Sequence, residues 1–459
     1  MRLPEALTPV RMVRVAVVAP DGEPLRDVLV GVADSGSVDL DDAADSPGPP
    51  EPADPNARLT TTAPADLDDF ARAGRDDLLA GETDLRRRSA AAVRRDGIAA
   101  LTGWCPAEAV KPLADRLGPL GGAVVPLPVP AGMSPPTMLR TGTSMRRSFA
   151  PLIRAYGTVP YLDIDPTMLA GIAYVAMFGM MFADAGHGLV LLTLSAILRA
   201  GRPRRLAHLR RMWPFLAGAG VASAVFGVLF GEFFGPTGVI PVRWFDPLEQ
   251  PVPLLAAGVA LGAVLLAGAY VVGVVNRWRE GAARLALYAP TGLAGAALFA
   301  GLAALAAGIY TGSAPVTVAA VAVAGTGLVL ASIGLFAASG GGATGAVETG
   351  IHLFDLLIRL GANLVSFARL AAFGLTHAAL GALVWSAASG LWSAGGWAVA
   401  AAVLVFVAGN ALTFGLEAVV AGIQALRLEY YELFSRVFAA EGRPFRPWHV
   451  PVASEEGVS

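Results

Sequence analysis

The sequence predicts a polytopic α-helical membrane protein of about eight transmembrane helices, the last two long and tilted, joined to a small α+β N-terminal domain. Three observations predict it. Of 459 residues, 55% are hydrophobic and 15% charged, against about 25% charged in an ordinary soluble domain, and the mean hydropathy is +0.58. The charge is also segregated: most Asp, Glu and Arg fall before residue 160, and 166–440 is mostly Ala, Leu, Val, Gly and Phe. Finally, seven long apolar runs are separated by loops of which only some are basic, the pattern of a chain crossing a bilayer repeatedly. The boundaries drawn are a cytoplasmic arm at 1–165, a transmembrane domain at 166–445 and a cytoplasmic tail at 446–459.

Composition excludes several classes. A net charge of −2 offers nothing to nucleic acid. The single cysteine, Cys105, makes neither an internal disulfide nor a CxxC metal pair and reads as a small core residue. The single lysine, Lys111, is followed by Pro, so the chain has no Gly-Lys-Ser/Thr loop to cradle a nucleotide. Residues 1–20 lack the apolar core of a cleaved signal peptide.

Within the arm, residues 11–40 read as strand, helix, strand. Residues 35–66, rich in Asp, Pro, Ser and Thr, read as a disordered linker. Residues 65–95 read as helical, with "DLRRR" and "AVRRD" as solvated faces. "GIAALTGW" reads as a strand, "PAEAVKPLADRL" as a helix with Pro in its first turn, and "GAVVPLPV" as a strand.

The apolar runs lie at about 167–198, 212–235, 252–275, 285–309, 315–338, 350–390 and 397–438. Basic residues cluster at 199–211, at 276–284 and after 436, which marks those segments as cytoplasmic. Both basic loops fall inside only if 167–198 crosses twice, as a hairpin broken at "FADAGHG", with halves of about 16 residues against the usual ~20. That makes eight spans with both termini cytoplasmic. Asp184 and His187 in the break read as turn chemistry with Gly186 and Gly188, in preference to cation binding. Trp385, Trp392 and Trp397 flank the last outer loop as an interfacial aromatic belt.

Polar residues inside the last two runs need partners, because an ionisable group at mid-bilayer costs at least about 2.5–3.5 kcal/mol. Asp355 and Arg359, four apart, read as a local ion pair. Arg369 lies about 21 Å further along the helix, with no acid three or four residues away, so its partner must come from another helix or another chain. His377 is about 12 Å beyond it. On the antiparallel eighth span, Glu417 and Gln424 share a face, and Arg427 lies about 15 Å from Glu417 close to that face. The set makes a polar route from the outer half to a central cation; the bland alternative is a group of interhelical ties. Glu429, Glu432 and Arg436 read as solvated.

These stretches resemble a known family. "SFARLAAFGLTHAAL" and "GLEAVVAGIQALRLEYYELFSRVFAAEGRPFRPW" are similar to the last two membrane helices of the V-type/A-type rotary ATPase subunit a, called subunit I in prokaryotes (the 116 kDa subunit family). "YGTVPYLDIDPT", "FGMMFADAGHG", "FGVLFGEFFG" and "GWCPAEAVKPL" match other family segments in order, over roughly 97–447. The resemblance implies a static, non-catalytic membrane subunit that forms two proton half-channels against a ring of c (proteolipid) subunits. It implies that Arg369 is the essential arginine beside the ring, that His377, Glu417 and Arg427 are channel residues with Gln424 among them, and that Asp355 belongs to the cytoplasmic half-channel. Arg359 departs from the uncharged residue expected at its position. It implies the c ring, peripheral stalk subunits, other rotary ATPase subunits and the lipid bilayer as partners, and no cofactor or metal. The arm is about half the family's usual length and lacks sustained heptads. Alternatives from other classes are a stand-alone proton-coupled secondary transporter, for which no internal repeat is visible, and a membrane assembly scaffold.

Overall fold

The computed structural model describes residues 8–41, 54–61, 66–130, 132–140, 142–201, 204–280, 283–438 and 442–453. The chain divides into two compact units, one gathering residues 8–140, 158–161 and 442–459 and the other 1–7, 141–157 and 162–441.

The first unit is α+β. Its strands are β1 (Met12–Pro20), β2 (Asp39–Leu40), β3 (Val93–Arg95), β4 (Ile98–Pro106) and β5 (Ala123–Leu127), and its helices are α1 (Glu23–Ser35), α2 (Leu67–Arg72), α3 (Asp76–Ala90) and α4 (Val110–Leu117). The sheet is antiparallel in the order β2-β4-β1-β5, with β3 also on β4. Val15 and Val17 of β1 point at the wholly buried face of α1, Val28, Leu29 and Val32, the two-residue period of a strand facing the helical stripe that covers it.

Three expectations are corrected here. "AVRRD", read as a solvated helical face, is in part β3, because Asp96 and Gly97 both take positive φ (51° and 77°). An Asp-Gly pair with that backbone closes a two-residue hairpin into β4, and Arg95 opposes Ile98 across it. The predicted linker at 35–66 contributes β2 and a fully buried Leu59 that bridges Val452; of the rest, 42–53 and 62–65 lie outside the described residues. The helix read from Pro106 starts instead at Val110, Pro106 ending β4.

The tail set apart at 446–459 is built into this unit as far as it is described. Trp448 and Val450 are buried in its core, the Trp448 indole N–H donates to Asp84 Oδ2 at 2.6 Å, and Arg88 stacks over the same ring. Cys105 is buried, which pushes its thiol up to about 11, the behaviour of an inert core residue.

The second unit is helical: α5 (Ser144–Tyr156), α6 (Thr167–Met181), α7 (Ala185–Arg199), α8 (Trp213–Phe230), α9 (Pro251–Arg279), α10 (Ala283–Tyr288), α11 (Leu293–Thr311), α12 (Ala314–Ala338), α13 (Gly342–Ser366), α14 (Ala368–Ala394), α15 (Ala398–Leu428) and α16 (Ser435–Val437). Among the described residues six helical stretches are long and apolar enough to cross a bilayer, and α6 and α7 are apolar but shorter, at 15 residues each. The chain is a multi-pass membrane protein.

Two stretches far exceed a single crossing. α13 and α14 form one 53-residue stretch, and α15 runs through a π-helical turn at Glu429–Phe434 into α16 over 40 residues. At 1.5 Å per residue these are about 80 and 60 Å long, against about 30 Å of hydrocarbon. The longer one breaks at Phe367, whose wholly buried ring enters a notch in α9. A Cβ at Gly262 of α9 would stand 2.2 Å from that ring, so only glycine leaves room for it.

Candidate functional site

The break between α13 and α14 sets the first functional side chain. Arg369 is the second residue of α14, half-buried, and its guanidinium donates to the Ser366 hydroxyl at 2.7 Å. Among the described residues no carboxylate stands within ion-pair distance of it. Asp355 and Arg359, by contrast, pair with each other at 2.8 Å on an exposed face of α13.

A three-residue link, Gly395 to Trp397, turns α14 back into α15. Val384 abuts Gly409 and Trp385 meets Phe406, an antiparallel register. The same register joins His377 to Glu417, Nδ1 to Oε2, with both side chains largely buried. One helix supplies the base and the other the acid, as the sequence had suggested without being able to show contact. Glu417 Oε1 is buried and has no hydrogen-bond partner. Arg369, eight residues before His377, is level with the turn of α15 that carries Gln424 and Arg427. Gln424 Oε1 is likewise buried without a partner. Arg427 is exposed and has no ion pair among the described residues.

The turn between α6 and α7 comes to the same place. Asp184 is the N-cap of α7: its Oδ1 accepts the His187 N–H at 2.9 Å, which satisfies an orphan donor of the first turn. It also accepts the N–H of Phe234 at 3.0 Å and of Gly235 at 2.8 Å. Phe234 has φ of 53°, an outlier for a bulky residue, held by these bonds and packed by its ring on His187 at 5.3 Å. Gly227 lets α8 lie directly on the turn, since a Cβ there would stand 2.1 Å from the Ala185 nitrogen.

His187 is therefore a core residue as well as part of a turn. Its ring is 5.5 Å from that of His377, and Phe182 and Phe414 close round the pair. Neither ring nitrogen of His187 has a hydrogen-bond partner. Asp184, His187 and His377 each bring one ligating atom within 4.8 Å of the others. Sequence reasoning read the hairpin as local turn chemistry because nothing linear connects 187 to 377. The clue was the spacing of Asp184 and His187 in a run otherwise apolar.

Near the turn, the carboxyl of Glu232, outside the spans, is pushed up to about 8, first by burial and then by the nearby Asp184 and Asp246. Glu429, read as solvated, is corrected: it is wholly buried and neither carboxylate oxygen has a partner. It continues the buried stripe of α15, four residues after Ala425 and next to Leu428. Glu432 and Arg436 are half-buried, and Asn363 of α13 bonds to both through its amide, at 2.9 and 2.7 Å.

Comparison with known proteins bears on this arrangement. The sequence model of the V-type ATPase 116 kDa subunit family matches residues 92–211. That match supports a place in the family. It is similar to A-type ATP synthase subunit I of Pyrococcus horikoshii, 28% identical over 311 residues covering 65% of this chain and 45% of that protein. It is similar to the subunit I of Thermococcus kodakarensis, 26% identical over 368 residues, 76% of this chain and 54% of that protein. V-type ATP synthase subunit I 2 of Treponema pallidum is 31% identical over 177 residues, 36% of this chain and 37% of that protein. The chain thus spans about half the length of the first two of these relatives.

Proposed function

We propose that the chain is the static membrane subunit of a rotary V/A-type ATPase or ATP synthase, forming two proton half-channels against a c ring. The observation that carries this reading is Arg369: a half-buried guanidinium with a hydroxyl beside it and, among the described residues, no carboxylate. Such a charge is costly in a membrane unless its partner arrives from elsewhere. A carboxylate on a turning ring meets the need. Within about 4–6 Å the guanidinium favours the ionised acid and so releases its proton, and arginine keeps its own charge throughout.

His377 and Glu417 form the relay on one side of Arg369, and Gln424 lies between them and Arg427 on α15. Asp355 and Arg359 shape the entry from the cytoplasm, and both termini lie on that side. The chain is not itself catalytic; ATP chemistry belongs to partner subunits, and peripheral stalk subunits hold this one still. Support comes from the similarity to A-type ATP synthase subunit I proteins and from the antiparallel α14–α15 pair.

The test is Arg369→Ala in the assembled complex, reconstituted in vesicles. Proton uptake driven by ATP is expected to fall by about 100-fold or more, the scale for losing one preorganised charge, while the subunit content of the complex is unchanged. Full proton uptake in that variant would exclude the reading.

A further inference from the structure

We propose that Asp184, His187 and His377 form a binding site for a zinc-class divalent cation, backed by Glu417. The three ligating atoms lie within 4.8 Å of one another on three buried side chains. Two imidazoles and a carboxylate are a donor set suited to Zn²⁺ and poorly suited to Ca²⁺ or Mg²⁺, which want oxygen. Three protein ligands leave a fourth tetrahedral position for water.

The independent sign is His187. Its side chain is 3% exposed, neither ring nitrogen makes a hydrogen bond of normal geometry although Asp184, at 3.9 Å, and Asn410 face it, and Phe182, Phe234 and Phe414 surround it. A buried polar group left unmatched is costly, and a metal bond removes that cost. His377 is already prepared as a ligand. With its Nδ1 held by Glu417, its other nitrogen keeps the lone pair, the carboxylate–histidine–metal arrangement that fixes the tautomer and raises basicity. Asp184 and Glu417 also place two carboxyl groups beside the imidazoles, the oxygen donors a divalent cation accepts.

Because His377 and Glu417 belong to the proposed proton path, bound zinc would immobilise that path and stop flux; this consequence rests on the function proposed above. The metal site itself does not. The experiment uses the whole complex in mild detergent, stripped with a chelator and dialysed against Zn²⁺, with zinc measured by elemental analysis. The wild type retains one more zinc per copy of this chain than His187→Gln, whose affinity at the site falls by more than the about 10–100-fold typical of losing an outer partner. His187→Cys, which restores a ligand, restores binding, and with Co²⁺ it adds a thiolate-to-metal absorption band that a merely structural role would not produce. Equal zinc in wild type and His187→Gln, or no rescue by cysteine in an assembled complex, overturns the site. Zinc that is retained but leaves proton uptake unchanged overturns the blocking consequence. Arg369→Ala judges the proton-path reading separately, since zinc content is measured without flux.

Discussion

The two units treat charge differently. In the α+β unit the arginines meet acids: Arg26 meets Glu82 at 2.5 Å with only 12% and 2% of the side chains exposed, Glu82 keeping one oxygen unmatched, Arg14 meets Asp41, and the half-exposed Arg443 reaches Asp39. The helical unit has pairs as well, Arg146 with Asp165 at 2.6 Å and His377 with Glu417 in the α14–α15 seam. Along the α14–α15 seam, Arg369 has no carboxylate among the described residues, and Gln424 and Glu417 each keep a buried oxygen unmatched. Paired charge serves a structure complete in itself. Arg369 without a carboxylate is what the proposed ring partner requires.

The largest expected contrast breaks or upholds that distinction directly. Arg369→Ala should abolish proton uptake with no fall in thermal stability, because it removes no internal ion pair. Arg26→Ala should do the reverse. It leaves Glu82 buried beside an emptied site and should cost about 3–5 kcal/mol, read as a lowered Tm of the α+β unit, while flux per assembled complex is retained. If Arg26→Ala proved silent and Arg369→Ala unfolded the protein, the contrast would be false.

A smaller effect sharpens the picture of the seam. Gly227→Leu forces α8 off the Asp184 turn, at about 1–3 kcal/mol for overpacking, and should weaken zinc binding along with Tm. The smallest concerns Asp163, which precedes α6 and has both oxygens buried and unmatched. Burial first, then Glu280, pushes its carboxyl up to about 7 against the pull of Arg277 and Arg279. The folded state therefore keeps a proton that the unfolded chain gives up near pH 4. Its stabilising contribution is complete below about pH 4 and is lost as pH rises through about 7. Asp163→Asn should flatten the fall in Tm between about pH 4 and pH 7, measured by thermal scans across that range.

How much of this was legible varies with the range of the interaction. The Asp355–Arg359 pair follows from a spacing of four on one helix. The want of a local partner for Arg369 was equally visible, because nearby acids can be counted. The β3–β4 hairpin was missed although its Asp-Gly signal was present; the flanking arginines read as a helical face. Glu429 was misplaced although its spacing of four from Ala425 puts it on the buried face of α15; its charge and its place near the end of the span read as solvation. The meeting of His187 and His377 was beyond reach, since they lie 190 positions apart with several helices between.

By itself the sequence determined that the chain lives in a membrane, that its charges are segregated, and that one arginine deep in the apolar half has no local mate. These are properties of composition and of spacing along a single helix, where geometry is fixed by the backbone. Only the tertiary structure decided that Glu417 closes on His377, that the α6–α7 turn delivers Asp184 and His187 to the same spot, and that the tail completes the α+β core. Such contacts depend on which glycine lets which helix approach, and that is settled by packing among distant segments.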